Sequence, residues 1–148
     1  ILGRGDLLGI YPEGTRSPDG RLYRGKTGPV RIAIEARRPV IPCGVIGTND
    51  AMPTGVRVPN RHPVTVRYGR PLDFSRYSGR EHDPFAMRSA TDELMYEIMS
   101  LSGQEYVDEY ADKVKSGKVD VDGDLLATTD AVTAPPPSED NGDERVAG

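Results

Sequence analysis

Leu7-Leu-Gly-Ile-Tyr-Pro-Glu-Gly-Thr-Arg-Ser17 decides how this chain is read. Leu7, Leu8 and Ile10 make an apolar run that predicts a short buried strand ending at Tyr11. Pro12 opens a loop, and Pro18-Asp19-Gly20 is a turn signal beyond it. Gly14 allows a close approach of backbone to a ligand. Thr15 and Ser17 carry hydroxyl donors. Arg16 carries a planar fork that matches two phosphate oxygens. Arg21, Arg24 and Lys26 follow closely. A strand running into such a loop suits an oxyanion. A second reading uses the same residues differently: Arg16 pairs with Glu13, the hydroxyls cap the turn, and Lys26 is a solvated loop lysine. Residue types alone leave both readings open.

Outward from the loop, Val30, Ala33, Ile34 and Arg37 repeat at helical spacing, which predicts a short helix over 29–37. Pro29 suits its first position, and Pro39 stops it. Its start near Thr27-Gly28 could present free N–H groups to an anion. The β-branched run over 40–47 predicts a strand, with Pro42 marking a bulge or an edge. Strand, helix and strand across 7–46 predict a right-handed βαβ unit with parallel strands. Residues 47–63 read as a loop, and 64–68 alternate as a half-buried strand. Asp83-Pro84 reads as a helix start. Met87, Ala90, Thr91, Leu94, Ile98 and Leu101 follow at helical spacing, and Gly103 is the stop. A second helix is predicted over 104–115, from Tyr106, Val107, Tyr110 and Val114. From 117 to 148 acidic residues and Pro135-Pro-Pro137 dominate, and disorder is predicted. The domain expectation is therefore a main unit over 1–80, a helical extension over 81–116 and an acidic, Pro-rich tail over 117–148.

Composition narrows the function classes. Apolar residues make up 36% of the 148, with two Phe and no Trp, which is sparse for a packed core. Cys43 is the single cysteine, so no internal disulfide forms, and it reads as a small buried hydrophobe. Asp92, Glu93 and Glu97 read as the solvated face of the long helix, and no metal site is predicted. The longest apolar runs fall far short of the ~18 residues a membrane-crossing helix needs. Residues 1–80 carry 14 Lys and Arg against 6 Asp and Glu, whereas 81–148 carry 5 against 17. The basic half holds the loop, which favours an anionic partner such as a phospholipid head group, the phosphates of an acyl carrier or a membrane surface. No helix-turn-helix, zinc-finger or base-stacking motif is present, so nucleic acid is not a predicted partner.

The string Pro12-Glu-Gly-Thr-Arg-Ser17 resembles the glycerophospholipid acyltransferase family, which includes the 1-acylglycerol-3-phosphate (lysophosphatidic acid) acyltransferases. The resemblance continues in order through Gly25-Lys-Thr-Gly28, Pro39-Val-Ile-Pro42, Gly47-Thr48, Met52-Pro53 and Tyr68-Gly-Arg-Pro-Leu72, covering roughly residues 1–77. It implies an α/β fold: a glycerol-3-phosphate acyltransferase-like mixed sheet flanked by helices, here cut short at its N-terminal side. It implies transfer of a fatty acyl group from acyl-CoA or acyl carrier protein, as co-substrate without further cofactor, to 1-acyl-sn-glycerol-3-phosphate, giving phosphatidic acid. It places Glu13, Gly14, Thr15, Arg16, Ser17 and Lys26 at the acceptor phosphate, and Ile41 and Pro42 along the acceptor-site wall. Lysophosphatidic acid and glycerol-3-phosphate share that phosphate. It further implies peripheral contact with the cytoplasmic side of a membrane.

One departure bears on catalysis. The family's catalytic motif is an Asn-His followed, after four residues, by an Asp, and it lies upstream of the Glu-Gly-Thr-Arg block. This chain has two histidines. His62 is followed five positions later by Arg67, and His82 by Met87. Neither makes the motif, so no catalytic residue is assigned and this chain alone is expected to be inactive. The alternative is a non-catalytic phosphate- or lipid-binding module derived from the family.

Overall fold

The long helix is the element on which the others pack. In the computed structural model, which describes residues 1–118, helix α3 spans Pro84–Ser102. Asp83 caps its start: Oδ1 accepts from the Phe85 and Ala86 N–H groups at 2.9 and 3.2 Å. These are donors with no partner inside the helix, so the cap removes an unsatisfied pair. Gly103 closes the other end, donating its N–H to the Met99 carbonyl at 2.8 Å. The predicted stripe is the buried one, with Met87, Ala90, Thr91, Leu94 and Ile98 in the core together with Met95.

Helix α1 spans Gly28–Glu35 and lays Val30, Ala33 and Ile34 into the interior. Val30 and Ile34 join Leu22, Phe74 and the α3 stripe in one hydrophobic cluster. That cluster draws on residues from both sides of position 80, so the long helix shares its core with the N-terminal elements.

The sheets are small and differ from the predicted topology. Strand β1 is Leu22–Tyr23, β2 is Cys43–Ile46, β3 is Thr65–Tyr68 and β4 is Tyr106–Val107. Strand β1 pairs in parallel with β4, and β2 pairs antiparallel with β3, from Cys43 opposite Tyr68 to Ile46 opposite Thr65. A bridge between Val40 and Leu72 extends the second ladder. Pro42, which lacks an N–H, interrupts it while its carbonyl accepts from Gly69 at 2.9 Å. Gly44 lies against the end of α3: a Cβ there would stand 2.8 Å from the Leu101 Cβ, so only glycine lets the strand come this close. A four-residue helix α2, Thr48–Ala51, follows β2.

Four expectations are corrected. Residues 7–11 form no strand, and Leu7 is 96% exposed, because no described segment pairs with or covers them. The parallel βαβ unit across 7–46 is accordingly absent; β2 takes its partner from 65–68 instead. Strand β3 is exposed at every residue rather than half-buried; among the described residues β2 is its only ladder partner. The second helix over 104–115 is replaced by β4 and a shorter helix α4, Ala111–Lys115, because Tyr106 and Val107 extend to pair with Leu22 and Tyr23. From residue 119 onward the expected tail lies outside the described residues.

Candidate functional site

The loop after Tyr11 is built by its own backbone and by one carboxylate. The Gly14 N–H donates to the Tyr11 carbonyl at 3.1 Å, closing a turn. Gly14 has φ +73°, a left-handed conformation in which a side chain is strained. Glu13 turns inward, and its Oε2 accepts from the Tyr23 N–H at 2.8 Å. Burial pushes the Glu13 carboxyl above its ordinary value, against the Tyr23 N–H and the charge of Lys115, which both favour the ionised form. Glu13 therefore holds the loop to β1 and is not the partner of Arg16.

The rest of the loop is closed by Asp19. Ser17 Oγ accepts from the Gly20 N–H at 2.9 Å and donates to Asp19 Oδ1 at 3.1 Å. Asp19 also accepts from the Arg21 Nε at 2.8 Å and the Tyr23 hydroxyl at 3.0 Å. Burial raises its carboxyl, but the Arg21 backbone N–H, which donates to Oδ1 at 3.0 Å, and these side-chain bonds outweigh burial and hold it below its ordinary value. The Ser17 hydroxyl is thus committed to closing the turn.

Arg16, Thr15 and Lys26 are arranged differently. Arg16 is exposed, and among the described residues its side chain has no hydrogen bond and no ion pair. Lys26 is tied to the loop by its N–H, which donates to the Pro12 carbonyl at 2.8 Å. Its side chain lies across Gly14, with Cε 3.3 Å from where a Cβ of that residue would stand. Thr15 Oγ1 accepts from Lys115 Nζ at 2.9 Å. The structure thus brings Lys26 against Gly14, beside Thr15 and Arg16 in the chain, and turns Glu13 and Ser17 inward as supports of the loop.

Ile41 and Pro42 lie elsewhere along the chain's ladder. Pro42 is buried with its ring against Gly69, and Ile41 is 51% exposed. Among the described residues no hydrogen bond joins either to the 13–17 loop. His62 is exposed, with Nδ1 3.0 Å from the Pro63 carbonyl oxygen and Nε2 3.8 Å from Asp50 Oδ2. Among the described residues no cluster of three or more His, Cys, Asp or Glu is placed to hold a metal.

Residues that sequence reasoning did not single out also reach the loop. Lys26 Nζ meets Asp112 Oδ2 at 3.2 Å, and Arg24, Lys26 and Lys113 surround the Tyr110 ring at 5.5, 5.9 and 5.7 Å. Lys26, Thr27, Tyr110, Asp112 and Lys113 line a cleft of about 340 Å³. No local pattern in residues 104–115 announces this. It follows from the β1–β4 pairing, together with the Arg24 N–H donating to the Glu109 carbonyl at 2.9 Å.

The loop's sequence has relatives. Residues 1–46 match the family model described as Acyltransferase. The chain is 39% identical over 64 residues to a 1-acyl-sn-glycerol-3-phosphate acyltransferase of Limnanthes alba, a match covering 43% of this chain and 23% of that protein. It is 40% identical over 63 residues to the enzyme of the same name from Cocos nucifera, covering 43% and 20%. With 1-acyl-sn-glycerol-3-phosphate acyltransferase LPAT1, chloroplastic, of Arabidopsis thaliana it shares 36% identity over 77 residues, covering 51% and 22%. The matched span is thus less than a quarter of the length of these curated relatives. No solved structure matches. Over the Glu13–Ser17 loop and the residues around it, the chain is therefore similar to acyltransferases.

Proposed function

We propose that this chain is part of an acyltransferase of phospholipid biosynthesis. The reaction moves a fatty acyl group from acyl-CoA or acyl carrier protein to 1-acyl-sn-glycerol-3-phosphate, giving phosphatidic acid. The portion described here holds the acceptor phosphate. The observation that carries this reading is Arg16: an exposed guanidinium with no partner among the described residues, on a loop that Glu13 ties to β1 and Asp19 closes through Ser17. A fork held out in this way can take two phosphate oxygens at once. Lys26 adds a second cation across Gly14, and Thr15 adds a hydroxyl.

Holding the phosphate presents the acceptor hydroxyl in a fixed direction toward the thioester, so the contribution is positioning. The hydroxyl must lose its proton as the acyl ester forms and the thiol leaves. By the resemblance, the base is a His of a motif that these 148 residues do not contain. His62, exposed and bonded to a backbone carbonyl, is not assigned that task.

Among the described residues no helix is long and apolar enough to cross a membrane. Contact with a lipid surface is supported by the segment 52–63 that follows α2. Met52, Val56 and Val58 are 39%, 40% and 74% exposed, and Arg57 and Arg61 are exposed beside them. Apolar groups interleaved with cations suit an anionic interface.

The test is acyl transfer by the complete gene product that carries this sequence. Loss of charge-assisted bonds in Arg16→Ala should raise the acceptor KM by about tenfold to a hundredfold, with the donor KM unchanged. An unchanged acceptor KM would sink the phosphate role. The 148-residue chain by itself is expected to show no transfer.

A further inference from the structure

Helix α4 lies beyond the sequence that matches the acyltransferase family, yet two of its side chains reach the loop. Lys115 Nζ donates to Thr15 Oγ1 at 2.9 Å, across 100 residues of chain. A hydroxyl has one proton to give and two lone pairs to receive with. Once Lys115 fills a lone pair of Thr15, the Thr15 proton remains available to a ligand, and a positive charge stands beside it. Lys26, which lies across Gly14, is held by Asp112 of the same helix at 3.2 Å. Both partners of that pair are about half exposed, at 49% and 55%. Exposed pairs of this kind are weak and exchange readily. The Asp112 carboxylate takes the place on Lys26 that a phosphate oxygen would take.

We propose that α4 completes the phosphate site: Lys115 is a further anion-binding residue on the Thr15 side of the loop, and Asp112 competes with the bound phosphate for Lys26. The ligand class is a glycerol phosphate monoester, free or as a lysophospholipid head group. This rests on the reading of the loop as the acceptor phosphate site. The two substitutions therefore act in opposite directions. Removing Lys115 weakens binding, whereas removing the charge of Asp112 strengthens it. A helix that merely buttressed the loop would give losses in both.

The test is a titration of the 148-residue chain followed through the amide resonances of Gly14, Thr15 and Arg16. The probes are glycerol-3-phosphate in solution and micelles of lysophosphatidylcholine with or without lysophosphatidic acid; glycerol is the neutral control. Saturation by glycerol-3-phosphate identifies the free ester as sufficient, and saturation only by micelles carrying lysophosphatidic acid identifies the lipid head group. Lys115→Ala is expected to weaken binding about three- to tenfold, with Lys115→Arg restoring it. Asp112→Asn is expected to tighten binding about two- to fivefold. Arg16→Ala separates the two claims. If Arg16→Ala loses binding while Lys115→Ala keeps it, the loop reading stands and the role of Lys115 is overturned. If Lys115→Ala loses binding while Arg16→Ala keeps it, Lys115 stands and the Arg16 clamp falls. Equal losses in Lys115→Ala and Asp112→Asn, or no saturable shift in the unsubstituted chain, overturn the proposal.

Discussion

Glu13 is the residue whose replacement tests the loop's construction most directly. Its carboxylate accepts from the Tyr23 N–H at 2.8 Å, and Tyr23 is fully buried. Glu13→Ala leaves that part-buried N–H without its acceptor, a loss of about 1–3 kcal/mol. With an m value of about 1–3 kcal/mol/M, the urea midpoint should fall by roughly 1 M. Glu13→Gln keeps an acceptor oxygen and should lose less. The pH dependence then isolates the charge. Burial raises the folded-state pKa of Glu13 above the unfolded value of 4.5. A raised carboxyl binds its proton more tightly when folded, so its favourable contribution is complete below the unfolded pKa. That contribution is lost as pH rises through the folded pKa. Measured by urea unfolding, the stability of the unsubstituted chain minus that of Glu13→Gln should fall as pH climbs from about 4 to 7. Carboxyls remote from Glu13 titrate alike in both proteins and cancel; Asp19, whose charge acts on Glu13, is the one to hold constant by repeating the comparison in Asp19→Asn. A difference that grows with pH would mean that the Tyr23 bond and the Lys115 charge outweigh burial, and would refute the reasoning.

Two further substitutions probe the fold. Leu7→Ser should change stability by no more than about 0.5 kcal/mol in urea unfolding, because Leu7 is 96% exposed; a loss of several kcal/mol would place 7–11 in a buried strand after all. Met95→Ala removes a side chain that is 1% exposed at the centre of α3 and should cost about 2–5 kcal/mol, read as a lowered thermal midpoint.

What the sequence displayed and what it hid divide along range of interaction. Helix α3 was legible from end to end because its cap, its apolar stripe and its glycine stop are local features. The same holds for α1, where Pro29 and the spacing of Val30, Ala33 and Ile34 mark a buried face. The strands were less legible, because a strand is completed by a partner elsewhere in the chain. Leu7, Leu8 and Ile10 have strand-like composition but no strand beside them among the described residues. Tyr106, Val107, Tyr110 and Val114 mimic a helical stripe, and only the distant Leu22–Tyr23 turns the first two into a strand. The candidate site shows the same division. Gly14, Thr15, Arg16 and Lys26 could be named from residue type. Turn-capping by Ser17 was one of the two readings left open, and the structure selects it; the inward role of Glu13 was not legible, since its partner is the backbone N–H of Tyr23, and every residue but proline carries such a group.

The parallel pairing of β1 with β4 has a consequence for the order of assembly. The bond from Gln104 Nε2 to the Gly20 carbonyl, at 2.6 Å, closes a span of 84 residues. Bringing such distant ends together costs about 4 kcal/mol of chain entropy, and β1 and β4 make only two residue pairs to offset it. Contacts this remote in sequence gain little until the intervening chain is already compact. The packing of α3 against Val30, Ile34 and Phe74 needs no contact with β4, so it can form first and shortens the path that β4 must span. The seating of α4 beside Thr15 and Lys26 is thus a late product of folding, and local opening of β4 would undo it while leaving the long helix in place.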